Sequence, residues 1–229
     1  MATIYASKSH TIQVYTSGTW AQIRGASSGT VYTASSGQTM GSAMSVQHNS
    51  GRGFDVYGVN RSFLLFDTSS ITGTVASADL SIYGHTSVTA DVIAVKSDAF
   101  GGDGGTAIAA ADFNNFDTGT PYSSQISSWS TSGYNDIQLN ATARADIQNN
   151  NVLIVCMMEH DYDFQNSAPS LLGVQSGMYH VPYTGTSRDP HLEVTVSTGY
   201  GHSVIGVAAA NIGKVNAVAT ANIEKIIGT

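Results

Sequence analysis

A single cysteine, Cys156, is all the sulfhydryl chemistry the 229 residues contain. No intrachain disulfide can form, so the stapled scaffold of a small secreted domain is excluded. Set in the apolar run VLIVCMM, Cys156 reads as a small core residue. Charge is scarce too. Charged residues make up 11% of the chain, well under the quarter or so usual in soluble domains. The nine Lys and Arg are scattered and outnumbered by sixteen Asp and Glu, for a net charge of −7. A phosphate-reading face needs clustered Lys and Arg, so nucleic acid is not an expected partner. No stretch offers the ~20 apolar residues of a membrane helix, so no membrane span is expected. The opening MATIYASKSH has no basic segment followed by an apolar one, so no signal peptide is expected either.

The motifs of catalysis are missing as well. There is no Gly-x-Ser-x-Gly elbow, no His-Glu-x-x-His and no phosphate loop. The seven histidines show no paired ligand spacing. The expectation is a protein that is not an enzyme.

What is present is strand-and-turn grammar. Short runs rich in Val, Ile, Thr and Tyr alternate with Gly, Ser, Thr and Asn clusters up to about Ser197. Strands are expected near residues 3–5, 11–15, 20–24, 61–67, 76–83, 91–96, 136–139, 152–158, 178–180 and 191–196. Two of them alternate well: Ala78, Leu80 and Ile82 share one face, and so do Leu192, Val194 and Val196. That period of two places one face in a core and the other in water. Many short antiparallel strands point to an all-β fold, an antiparallel β-sandwich of jelly-roll type. Helix is expected after Asn140, a suitable N-cap for NATARADIQNN, and over a short stretch at 106–116. The Ser/Gly-rich residues 27–53 read as a long surface loop or irregular strands.

Four segments in order, RSFLLFDTSSI, ASADLSIYG, SSWSTSGYNDIQLNATARADI and TGTSRDPHLEVTVS, carry a family resemblance. Together they resemble a β-sandwich family of phage and environmental proteins. They are also similar to the carbohydrate-binding-module-like jelly rolls of the DNRLRE type in secreted bacterial proteins. The resemblance covers residues 2–197 and implies a sandwich domain over 1–197.

Beyond a joint at 198–203, residues 204–229 repeat themselves. Ala210-Asn211-Ile212-Gly213-Lys214 returns eleven positions later as Ala221-Asn222-Ile223-Glu224-Lys225. As a helix, the tail would align Val204, Ala208, Ile212, Val215, Ala219, Ile223 and Ile226, an eleven-residue hydrophobic period. Gly206, Gly213 and Asn216 weaken that helix. The alternative is short helical turns separated by extended VNAV. Either way Val204, Val207, Ile212, Val215, Val218, Ile223 and Ile226 are expected to need a partner to bury them: the β domain itself, sister copies in an oligomer, or another virion protein such as a capsid or tail subunit. The tail resembles short terminal repeats on some phage structural proteins, which implies docking or oligomerisation, with a trimer favoured.

Two site chemistries are weighed. Glu159, Asp161 and Asp163 in MMEHDYDFQN have oxygen donors that suit a calcium ion, as do Asp98 and Asp103. The plainer alternative is a polar loop that closes the preceding strand. Trp20, Trp129 and Tyr134 offer rings that could stack on a sugar, or that simply fill a core. The expected function is a structural protein on the surface of a bacteriophage particle, outside the cell: a capsid decoration, head fibre or tail fibre component. The alternatives are a carbohydrate-binding module for host glycans and a self-assembling extracellular filament subunit.

Overall fold

The computed structural model describes residues 1–33, 43–51, 53–87, 91–170, 172–180, 187–197, 214–215 and 218–219. Eleven strands join in one sheet: β1 Ala2–Ser17, β2 Thr30–Thr33, β3 Ala43–Gly51, β4 Phe54–Asp67, β5 Thr74–Ser87, β6 Val92–Ser97, β7 Phe116–Pro121, β8 Tyr134–Gln138, β9 Val152–Glu159, β10 Gly173–His180 and β11 His191–Ser197. Every pairing among the described residues is antiparallel, and the protein is all-β.

The sheet curls because two long strands change partners along their length. β1 pairs with β11 through Ala2–Tyr5, shifts register between Ala6 and Lys8, and then pairs with β4 as far as Ser17. β5 pairs with β11 and β8 first and with β10 at its far end. Bulged strands that switch partners are how a sheet turns a corner. Through β3 and β4 the ring β1–β11–β5–β10–β3–β4 closes on itself. One arm of the curl holds β11, β8 and most of β5. The other holds β4, β9, β6 and the rest of β1.

A first core fills the space between the arms. Ala78, Leu80, Ile82, Ile137, Leu192 and Val194 meet Leu64, Phe66, Val92, Ala94, Leu153, Val155 and Met157 there. The alternation read from residues 76–83 and 191–196 is realised. The second arm is buried on its other face as well. Phe63, Leu65, Ile93, Val95, Ile154, Cys156 and Met158 enter a second core with Trp20, Ile23, Ala99, Phe100 and Phe113. Strands covered on both sides read as continuous apolar runs, which accounts for FLLF and VLIVCMM.

Several local expectations are corrected. Residues 20–24 are not a strand but a helix, α1 Trp20–Arg24. Thr19 and Gln22 form a capping box: the Gln22 side chain accepts from Thr19 N at 2.9 Å while Thr19 Oγ1 accepts from Gln22 N. Residues 3–5 and 11–15 belong to one sixteen-residue strand rather than two. The described part of 27–53 contains β2 and β3, and β7 was not foreseen. The helix expected over 106–116 is a 3-10 turn, Ala110–Asn114. The helix after Asn140 is there as α2 Ala141–Asn149 and turns Ala143 and Ile147 into the first core. In the tail, β12 Lys214–Val215 pairs antiparallel with β13 Val218–Ala219, so these four residues are extended rather than helical. Val204, Val207, Ile212, Ile223, Ile226 and the joint 198–203 lie outside the described residues. Among the described residues, no helix is long and apolar enough to cross a membrane.

Asn140 couples α2 to β7. Its Oδ1 accepts from Ala143 N at 3.1 Å, and its Nδ2 donates to Pro121 O at 2.6 Å. Asn140→Ala should lower unfolding stability by about 1–2 kcal/mol. Urea melts showing an unchanged midpoint would contradict that role.

Candidate functional site

The acidic segment after β9 folds into a π-helical turn, His160–Phe164. Glu159 caps it from a fully buried position. Its Oε1 accepts from Asp161 N at 2.8 Å, and its Oε2 from Tyr162 N at 2.7 Å and Asp163 N at 2.9 Å. Burial pushes the Glu159 carboxyl up to about 7, with the three N–H donors working against that shift.

Asp163 is also fully buried and grips Arg61, which is 0% exposed. Arg61 Nε donates to Asp163 Oδ2 and Nη2 to Oδ1, each at 2.7 Å, a two-pronged pair. The same guanidinium donates to Phe113 O at 2.8 Å and to Arg24 O at 2.9 Å. Its carbon stands 4.0 Å from the ring centre of Phe113 and 4.3 Å from that of Phe116. Arg24 Nε in turn donates to Asp163 O at 2.6 Å. Asp161 is exposed and meets His160 Nδ1 at 2.7 Å and Gln125 Nε2 at 3.2 Å.

The calcium candidates Glu159, Asp161 and Asp163 thus face three different sets of partners. Among the described residues, no three His, Cys, Asp or Glu side chains converge to hold a metal ion. Asp98 and Asp103 line a separate cleft of about 430 Å³ with Lys96, Tyr122 and Asp146. There Asp146 Oδ2 accepts from Lys96 Nζ at 2.9 Å and from the Tyr122 hydroxyl, and burial beside Asp146 raises the Tyr122 phenol. Cys156 is fully buried, and burial pushes its thiol far above the ordinary range, the environment of a structural core cysteine.

The three sugar-stacking candidates go to three places. Trp20 is 8% exposed in the second core, edge-on to Tyr57 at 5.6 Å. Trp129 is half-buried against the first core, with its indole N–H buried and unpartnered among the described residues. Tyr134 lies on the outer face of the first arm, opposite Tyr83 in the ladder. It brings together neighbours that sequence reading passed over. Its ring is 5.3 Å from Tyr83 and 4.8 Å from His191, which is 5.4 Å from Tyr5. The Tyr134 hydroxyl already donates to Ser187 O at 3.0 Å and Asp189 O at 3.3 Å. Only Tyr5, 55% exposed, is an open ring of this strip.

No protein-family model matches the chain, and no curated protein matches it.

Two predictions come from the acidic turn. Asp163→Asn leaves the Arg61 charge buried without its counter-ion and should cost about 3–5 kcal/mol in urea unfolding. A loss below about 1 kcal/mol would deny the pair its structural role. The second concerns pH. The Glu159 carboxyl titrates near 7 in the folded chain, against about 4.3 when unfolded. Between those values the folded state binds more protons, so stability falls as pH rises. Glu159 supports the fold fully below about pH 4.3 and loses that contribution as pH passes 7. Glu159→Gln should therefore flatten the decline in melting temperature between mildly acidic and mildly alkaline pH, whatever it does to the absolute value. An unchanged slope would remove Glu159 from that dependence.

Proposed function

We propose that the chain is a non-enzymatic structural protein of a bacteriophage particle, a capsid decoration, head fibre or tail fibre component. It holds a jelly-roll-like β-sandwich outward on the virion surface, and its C-terminal repeat anchors or oligomerises it. The observation that carries the non-enzymatic part is how the buried and half-buried polar groups are used. Arg61 and Asp163 hold each other, Glu159 caps a turn, and Asp146 is shared by Lys96 and Tyr122. These groups are taken up by one another and by backbone N–H groups, in contacts that stabilise packing. Two arms facing each other across one core support the sandwich description. The four ordered segments that resemble phage and environmental sandwich proteins support the particle setting. The repeat supports the assembly role, since equal units eleven residues apart suit a partner that is itself symmetric.

A second reading, a carbohydrate-binding module for host-surface glycans, is favoured by one observation. Tyr5 and Tyr15 stand 55% and 51% exposed on sheet faces.

Light scattering on the full chain beside a version ending at Ser203 tests the assembly role. The full chain is expected to be a trimer or larger and the shortened one a folded monomer. Two monomers would refute self-assembly through the tail.

A further inference from the structure

We infer that the inner face of the second arm, at its Tyr15 end, binds an uncharged polysaccharide whose sugar ring rests against Tyr15. The inference specifies the carbohydrate reading and is independent of the particle setting.

Directly opposed residues of antiparallel strands share a face. Tyr15 on β1 opposes Gly58 on β4, which opposes Gln47 on β3. One step along, Gln13 opposes Asn60, which opposes Ser45. On the other side Ser17 opposes Val56, which opposes Asn49. β2 adds Thr30 opposite Gln13. None of these positions carries a charge.

The glycine shapes the surface. A Cβ at Gly58 would come within 2.5 Å of Gln47 Nε2 and 2.8 Å of Tyr15 Cδ2. The ring and the amide therefore close over the bare backbone from either side. Second contacts hold the group in place: the Tyr15 hydroxyl accepts from Asn49 Nδ2 at 3.2 Å, and Gln13 Oε1 accepts from the Tyr32 hydroxyl at 3.2 Å. Tyr15 as a whole stays 51% exposed. The Gln47 amide has no hydrogen-bond partner among the described residues, nor does Gln13 Nε2.

This combination selects a ligand class. A fixed half-open aromatic face offers apolar area to the C–H face of a pyranose. Amides carry both donors and acceptors, which is what sugar hydroxyls need. Absence of charge gives an anionic polymer nothing to pair with. The Tyr5 strip shares the exposed ring but not the uncharged surroundings, with Arg188 over Tyr83, Glu193 beside His191 and the Tyr134 hydroxyl already engaged.

The test is affinity electrophoresis of the full chain through gels containing hydroxyethylcellulose, xyloglucan, galactomannan or dextran, with polygalacturonate as the charged comparison. At least one neutral polymer should retard the protein. Tyr15→Ala should weaken that retardation about tenfold or more, while Tyr15→Phe and Tyr5→Ala keep it. Gln47→Ala, on a flexible side chain without a structural partner, should weaken it with the melting temperature unchanged. Retardation by no neutral polymer would overturn both the inference and the carbohydrate reading. Retardation that survives Tyr15→Ala and Gln47→Ala would overturn this face and leave carbohydrate binding standing elsewhere. Retardation by polygalacturonate alone would overturn the uncharged ligand.

Discussion

A guanidinium sealed from water holds the outer layer of this fold together. Burying an ion costs several kcal/mol, and the cost is recovered only where geometry and extra hydrogen bonds are good. Arg61 meets that condition by collecting acceptors from three separate pieces of chain: the Asp163 carboxylate, the Phe113 carbonyl and the Arg24 carbonyl. Those pieces are the π-helical turn, the 3-10 turn and the end of α1, each of five residues. Helical segments that short do not persist alone. Their order comes from docking on the second arm, and Arg61 fixes where each one docks. The apolar side chains they bring, Trp20, Ile23 and Phe113, then cover strands that would otherwise expose Phe63, Leu65, Ile154 and Met158.

The arrangement also explains what could be read from the sequence and what could not. The antiparallel all-β class was legible, because turn residues and period-two runs are local signals. Ala78, Leu80 and Ile82, or Leu192 and Val194, need no knowledge of the partner strand to declare an inner face. The cap at Asn140 was legible for the same reason. The second core was not. Its covering segments have no period, and FLLF or VLIVCMM states that both faces are buried without saying by what. Residues 20–24 misled because Trp and Ile favour strands, while the deciding contact is a reciprocal bond between Thr19 and Gln22.

The acidic turn stays open in the sequence between a calcium site and a polar loop that closes the strand, for a different reason. Glu159, Asp161 and Asp163 lie close in sequence and look like shared ligands. Their partners are not close: Arg61 is 102 residues from Asp163. A carboxylate's role depends on which donor reaches it, and only the curl of the sheet decides that. The aromatic candidates show the same limit. Trp20 and Trp129 are rings that suit a sugar or a core equally, and here they pack into or against the cores. Tyr134 lies on the outer face of the first arm, where its hydroxyl serves the chain segment at 187–189.

The Tyr15 face follows from a mismatch in strand length. β1 runs for sixteen residues and β4 for fourteen, whereas β11 has seven and covers only Ala2–Tyr5 of β1. Inner residues must be apolar where the first arm lies opposite, and β4 obeys with Phe66 and Leu64. Moving back along β4, the same face turns to buried hydroxyls and amides that satisfy one another, with Ser62 against Thr11 and Asn60 against Ser45, each pair at 2.9 Å. Beyond them come Gly58, Gln47 and Tyr15, where the polar groups are no longer fully matched internally. The same strands thus supply a sealed core at one end and an open amide-lined surface at the other. The rigidity of the first lends a fixed geometry to the second, because the long strands are continuous through both.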